Sequence, residues 1–240
     1  MLEHVQWIRS TQETGESACP VFARSFWLDG TETDLTLAAT CIGIYRVTLN
    51  GTPVSDALFA PGFTSYQNRL QVQTYRLLPY ARKGENHLEL QCANGWAVGF
   101  LGRGNTNHIF ADHISLAAEI TVTAADGAVR TIGTDGSWNA IRSAEFYHGE
   151  TDDFTAEQTL LGDALPDTAP AARLIPDEGV PVREVARVHA KRLIRTPKGE
   201  TVIDFGQNMV GYVRVKVSGN KGDRVRLGFA EVLDKDGNFY

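Results

Sequence analysis

Two short stretches hold the residue types that carbohydrate chemistry uses. In CANGWAVG, Asn94 and Trp96 flank Gly95 directly after a run of alternating residues. Proteins take up sugars by laying C–H faces on aromatic rings while amides and carboxylates engage the hydroxyls, so an indole beside an amide is an apt pair. The competing reading is a core tryptophan under a loop. In FYHGETDDF, Glu150, Asp152 and Asp153 place three carboxylates within four residues. Oxygen donors at that density suit polyol hydroxyls or a Ca²⁺ ion, and they equally suit a solvated acidic loop. Glycoside hydrolysis needs two carboxylic acids flanking the scissile bond at a defined separation. Neighbours in one loop rarely face each other across a sugar, so these residues are assigned binding and not catalysis.

Other chemistries find no constellation. There is no GxSxG elbow, no HExxH and no GxxxxGK[ST] phosphate loop. Gly99, Gly102 and Gly104 are followed by no helical pattern that could aim an N-terminus at a pyrophosphate, and read as a surface loop. His108 and His113 lie close in NHIFADHISL, but a metal site needs a third, convergent ligand, and strand-edge histidines are the simpler reading. The stretch from Asp234 to Asn238 resembles the start of an EF-hand, yet its glycine comes two positions early and no bidentate Glu follows, so a hairpin turn is expected.

The elements that must position these groups are strands. Leu88, Leu90 and Cys92 alternate with Glu89 and Gln91. Phe22, Arg24, Phe26 and Leu28 alternate with Ala23, Ser25 and Trp27, and Leu35, Leu37, Ala39 and Cys41 with Thr36, Ala38 and Thr40. This period of two marks half-buried antiparallel strands. Asn50-Gly51 and Asp126-Gly127 predict hairpins, because those pairs accept the positive φ of tight turns. Helix is expected only in short pieces, at 77–82 and 155–161. The sum is an all-β chain, an antiparallel β-sandwich or jelly roll. Residues 161–182 hold Pro166, Pro170, Pro176 and Pro181, four of the nine prolines, and predict an extended connector. Residues 1–160 then form one domain. Residues 183–240 read as strands again, too few to close a second sandwich.

With 240 residues, 42% of them hydrophobic, the chain can bury a sizeable core. Its net charge of −6 argues against nucleic acid and anionic lipid as partners. No stretch approaches a membrane span, and MLEHVQWIRS lacks the apolar run of a signal peptide, so a cytoplasmic location is expected. Cys19, Cys41 and Cys92 are odd in number and far apart, which predicts buried free thiols.

Taken in order, the motifs resemble the N-terminal region of bacterial α-L-rhamnosidases of glycoside hydrolase family 78. They are Leu49-Asn50-Gly51, then Pro61-Gly62-Phe63-Thr64-Ser65-Tyr66, then Gln71-Val72-Gln73-Thr74-Tyr75, then Gly84-Glu85-Asn86, then Gly95-Trp96. TDGSWNA and YHGETDDF resemble later family segments, although Asp152 stands where an aromatic is usual and Phe154-Thr155 replaces Ala-Arg. VIDFGQNMVGYVRVKVSG is similar to the opening of the family's concanavalin-like β-sandwich. The resemblance implies a carbohydrate-binding-type, galactose-binding-like jelly roll followed by the start of a concanavalin-like sandwich. It also implies an inverting hydrolase of terminal α-L-rhamnosyl residues, whose acids lie in an (α/α)6 barrel that this sequence does not contain. The chain is therefore expected to be the non-catalytic front of such an enzyme, inactive alone. Its expected partners are L-rhamnose-containing glycosides, the missing barrel, and a second copy joined through unpaired strand edges. Two alternatives are a rhamnose-binding lectin-like module and a structural spacer. A third is the N-terminal jelly roll of a β-galactosidase or β-glucuronidase, where LNG and GEN also occur.

Overall fold

The computed structural model describes residues 2–10, 18–101, 106–146, 151–152, 159–220 and 222–240, with the side chains at 18, 143–146 and 151–152 outside the description. The chain forms two compact units, Met1–Arg183 and Glu184–Tyr240. Described strands in the first unit are β1 (Ile8–Arg9), β2 (Ala18–Leu28), β3 (Asp34–Ile42), β4 (Ile44–Leu49), β5 (Thr52–Pro53), β6 (Arg69–Arg76) and β7 (Gly84–Ala93). They continue with β8 (Ser115–Thr123), β9 (Val129–Gly133), β10 (Asn139–Phe146), β11 (Thr151–Asp152), β12 (Thr159–Asp163), β13 (Leu165–Pro166) and β14 (Arg173–Pro176). The second unit contributes β15 (Arg192–Arg195) and β16 (Thr201–Asp204), paired antiparallel.

One sheet of the first unit runs β13-β1-β8-β3-β6-β14, with β9 on β8; the other runs β11-β10-β2-β7-β4-β5, with β12 on β10. The alternation read from the sequence is the inside–outside alternation of these sheets. Leu35, Leu37, Ala39 and Cys41 on β3 and Leu116, Ala118 and Ile120 on β8 are fully buried, as are Phe22 on β2 and Leu88, Leu90 and Cys92 on β7. They belong to one continuous apolar cluster. All three cysteines are free and buried; burial raises the Cys41 thiol well above its ordinary value.

Both hairpins form. Asn50 (φ 53°) and Gly51 (φ 76°) turn β4 into β5, and Ala124 N–H bonds Ala128 O at 2.9 Å across the β8–β9 turn. The Asn50 side chain does more than turn the chain. It donates to Tyr80 O (3.0 Å) and Asn86 Oδ1 (2.9 Å) and accepts from His87 N–H (3.0 Å), while the fully buried Asn86 closes the Arg82–Gly84 turn. The LNG and GEN motifs are thus two halves of one amide clasp. In TDGSWNA, Asp135 Oδ1 accepts Ser137 N–H at 2.8 Å, Arg24 donates to Ser137 O at 2.8 Å, and the buried Trp138 donates Nε1–H to Gly133 O at 2.9 Å.

The proline-rich stretch is extended, and it is also laddered. Leu165–Pro166 pairs antiparallel with β1, Arg173–Pro176 pairs parallel with Arg69–Val72, and Leu58 N–H bonds Val182 O at 2.8 Å. Pro166 and Pro176 are tolerated because β13 and β14 are edge strands, where one side of the backbone has no ladder to complete. Of the short helices, a 3-10 turn forms at Leu78–Tyr80, but Thr159–Asp163 is strand β12 against β10 and not helix, since Leu160 and Thr159 pair with Ile141 and Arg142.

Asp167, in the same stretch, accepts His113 Nε2 at 2.8 Å. Burial by itself would raise its carboxyl, but hydrogen bonds from Ser115, His113 and Thr168 N–H outweigh that and hold it below the usual carboxylate value. A depressed folded value stabilises the fold above the unfolded pKa of about 3.9 and is lost as pH falls through the lower folded value. Asp167→Asn is expected to cost about 1–2 kcal/mol at neutral pH, with the gap to the parent chain shrinking below about pH 4. Urea titrations across pH check this; a gap that stays constant in acid would remove the assignment.

In the second unit, residues 234–238 form the expected turn, with Asp234 Oδ1 accepting Asn238 N–H at 2.7 Å. The alternating residues after Asp204 form no further ladder among the described residues, and Val210, Tyr212, Val225, Leu227 and Phe229 stand exposed. Their period of two is a strand signal that needs a facing sheet to become a strand.

Candidate functional site

Loops of the first unit gather four aromatic rings, Phe59, Phe63, Tyr66 and Phe110, into one cluster with Trp96. Gly95–Val98 forms one helical turn after Asn94. Gly95 has φ +54°, and a Cβ there would lie 2.6 Å from Ile44 Cγ2 and 3.2 Å from the Gly43 carbonyl carbon, so only glycine lets this turn press onto the start of β4. Trp96, half-buried, meets Phe59 edge-on at 5.8 Å and Phe63 at 5.9 Å between ring centroids. Phe63 also contacts Tyr66 (5.8 Å) and Phe110 (6.3 Å), and Tyr66 contacts Phe110 at 5.1 Å. Phe59 is 47% exposed and Phe63 55%, so the cluster has a solvent side. Burial pushes the Tyr66 hydroxyl well above its ordinary value, keeping it a neutral donor.

The QxQTY strand holds the loop that carries Phe59 and Phe63. Gln71 Nε2 and Gln73 Nε2 both donate to Pro61 O, at 3.1 and 3.2 Å, beyond the cis Ala60-Pro61 bond. Gln71 Oε1 accepts Glu178 N–H at 2.7 Å and Gln73 Nε2 reaches Asp177 Oδ1 at 3.3 Å, which ties the proline-rich stretch to the same point. Tyr45 Oη lies 2.8 Å from Gln73 Oε1 and 3.0 Å from Ala39 O, and Tyr75 donates to Tyr45 Oη at 3.1 Å. Burial pushes Tyr75 up to about 12 and Tyr45 well above its ordinary value, so both phenols stay protonated near neutrality. Groups whose hydrogen bonds are met by one another make a rigid base for the aromatic loop.

Of the residues singled out from the sequence, Asn94 and Trp96 sit in this turn, Asn94 half-buried and with no side-chain cap bond. Glu150 and Asp153 lie outside the described residues, and so does the side chain of Asp152, whose backbone pairs with Glu145. The arrangement adds Phe59, Phe63, Tyr66 and Phe110. Phe63 and Tyr66 were present in a quoted motif, whereas Phe59 and Phe110 carry no local signal and join only through loop packing. The two histidines do not converge: His108 Nδ1 is 3.0 Å from Asp112 O, and His113 bonds Asp167. Among the described residues no group of three or more His, Cys, Asp or Glu side chains could hold a metal ion, so no donor set for Ca²⁺ is found there. No helix among them is long and apolar enough to cross a membrane.

Comparison with known proteins gives the site its context. Residues 32–174 match the α-L-rhamnosidase N-terminal domain, and residues 194–240 match the bacterial α-L-rhamnosidase concanavalin-like domain. An α-L-rhamnosidase of Streptomyces avermitilis is 37% identical over 85% of this chain, which amounts to 21% of that protein. The crystal structure of the Streptomyces avermitilis α-L-rhamnosidase complexed with L-rhamnose superposes with a TM-score of 0.80 at 30% identity, covering 94% of this chain and 23% of that one. The native α-L-rhamnosidase of Aspergillus terreus gives 0.80 at 28% identity, covering 92% and 28%. The chain thus spans less than a third of the length of each of these relatives. A domain match over more than half of the sequence decides between the two families its motifs allow: the chain belongs to the α-L-rhamnosidase family.

Proposed function

We propose that this chain supplies the non-catalytic, N-terminal β-domains of an α-L-rhamnosidase that releases terminal α-L-rhamnosyl residues from glycosides. The acids of the inverting reaction belong to an (α/α)6 barrel outside these 240 residues. The observation that carries the reading is the pairing of 85% coverage on this side with 21% coverage on the relative's side. Among the described residues helix is limited to Gly95–Val98 and the turn Leu78–Tyr80, which supplies none of a helical barrel. The 240-residue chain is expected to release no p-nitrophenol from an aryl α-L-rhamnoside above the buffer rate; turnover near the order of 10 s⁻¹ typical of enzymes would overturn the reading. Its partners on this reading are rhamnosyl glycosides, the barrel, and a second copy along the unladdered residues after Asp204, with neither nucleic acid nor membrane among them. The three buried free thiols support a reducing compartment, the cytoplasm.

A second reading is favoured by the half-exposed rings of Phe59 and Phe63 against Trp96: this loop end binds the rhamnosyl group itself. The C–H face and methyl group of a 6-deoxyhexose suit an edge-packed aromatic wall, and Asn94 lies beside it with an uncapped amide. The Streptomyces avermitilis enzyme has been seen complexed with L-rhamnose, which supports the ligand class. Calorimetry with L-rhamnose, in calcium and in chelator, tests it. Saturable heat supports the reading, and no heat at millimolar sugar in either condition sinks it.

A further inference from the structure

Trp27, the next-to-last residue of β2, is 65% exposed on the face opposite the core, while Trp7 and Trp138 are buried. Its neighbours on that face follow from the register. Trp27 pairs with Glu85, Ser25 with His87, and Ala23 with Glu89, which also pairs with Thr48 on β4. Residues two apart on a strand share a face, so Trp27, Ser25, Glu85, His87, Glu89 and Thr48 form one stripe across three strands. Four of its polar members, Ser25, His87, Glu89 and Thr48, are already linked to one another. Ser25 Oγ lies 3.1 Å from His87 Nδ1, His87 Nε2 lies 3.3 Å from Glu89 Oε1, and Thr48 donates to Glu89 Oε2 at 3.2 Å. Arg130 donates to Trp27 O and fixes the backbone under the indole.

We propose that this stripe is a second carbohydrate platform, separate from the Trp96 loops, that binds a neutral pyranose. One face of the ring lies on the Trp27 indole, and its hydroxyls reach the Glu85 carboxylate on one side and the Ser25–His87 pair in the next row, about 7 Å along the strand. The hydroxyl–imidazole–carboxylate chain is ordered before any sugar arrives, so little side-chain freedom is lost on binding. Hydroxyl groups donate to Glu85 and Glu89 and can both donate to and accept from His87 and Ser25. An exposed indole ringed by hydrogen-bonding groups does not match the apolar centre of a protein interface. Two carboxylates in the stripe and a net charge of −6 favour neutral over uronate sugars.

The test uses the full 240-residue chain labelled with ¹⁵N and titrated with cellobiose and, separately, with methyl α-L-rhamnopyranoside to about 50 mM, where weak sugar affinities are read. The Trp27 indole N–H and the Ser25 and His87 amides are expected to shift together and saturably with at least one probe. Trp27→Ala should abolish the Ser25 and His87 shifts, and Glu89→Gln should weaken binding about threefold or more by releasing His87. The buried Trp138 indole signal reports that each variant is folded. The proposal is overturned if neither sugar moves the Trp27 signal, if the Ser25 and His87 shifts survive in Trp27→Ala, or if every shift is confined to Trp96 and its neighbours. None of these outcomes depends on rhamnoside hydrolysis, so the platform and the enzymatic reading fail separately.

Discussion

Replacing Trp138 by alanine is expected to destabilise the first unit by about 3–5 kcal/mol, the range for deleting a buried large aromatic. The indole is fully buried among the largest core side chains. Three terms add in the same direction. The apolar surface returns to water in the unfolded reference, a cavity opens in a close-packed interior, and Gly133 O loses the Nε1–H donor at 2.9 Å that satisfies it. The backbone around it has little room to collapse, because Trp138 O accepts Ala164 N–H at 2.7 Å and the Asp135–Ser137 turn is pinned by Arg24. Trp138→Phe keeps most of the volume and loses the donor, so about 1–2 kcal/mol is expected. Urea unfolding with an unchanged slope measures both. A loss below about 1 kcal/mol for the alanine variant would mean that the turn, and not the indole, holds this edge of the sandwich.

The second large effect is expected at Gly95. An alanine there must adopt φ near +54° and place a methyl 2.6 Å from Ile44 Cγ2 and 3.2 Å from backbone. Left-handed strain together with the clash sums to about 2–3 kcal/mol. The side chain of Ile44 can rotate but the Gly43 backbone cannot, so the helical turn moves instead and takes Trp96 off Phe59 and Phe63. The variant should show a lower unfolding midpoint and a red-shifted tryptophan emission as the indole gains water. It should also lose the heat of L-rhamnose binding where the parent chain gives one. An unchanged midpoint and emission would show that the turn is not braced against β4.

Much of this was legible in the linear sequence for a physical reason. Strands expose alternate residues to opposite faces, so Leu88, Leu90 and Cys92, or Leu35 through Cys41, declare their buried face without reference to any partner. Asn50-Gly51 declares its turn equally locally, because the positive φ is a property of those two residues. Free, buried cysteines follow from number and spacing. The candidate site was only half legible. Trp96 stood out beside a glycine and an amide, but Phe59 lies far from it in sequence and meets it because Gln71 and Gln73 anchor the Pro61 loop, while Phe110 joins only through Phe63 and Tyr66. The amides of those glutamines look like surface residues until their partners are known. Trp27 was visible as the outward member of an alternating strand, yet the Ser25–His87–Glu89 chain beside it depends on a register between β2, β7 and β4 that no local pattern specifies.

The sequence by itself determined the β class, the inward faces, the turns and, through ordered motifs, the family, because each depends on interactions within a few residues or on a pattern of them. Tertiary structure alone decided that the proline-rich stretch 161–182 ladders onto both edges of one sheet, that LNG and GEN join in a single amide clasp, and that rings scattered over 59–110 make one cluster whose solvent side is Phe59 and Phe63. These are contacts between distant segments, fixed by which strands become neighbours. The same principle applies to the alternating apolar residues after Asp204, which form no ladder among the described residues: a period of two is a propensity, and only a neighbouring strand turns it into a ladder.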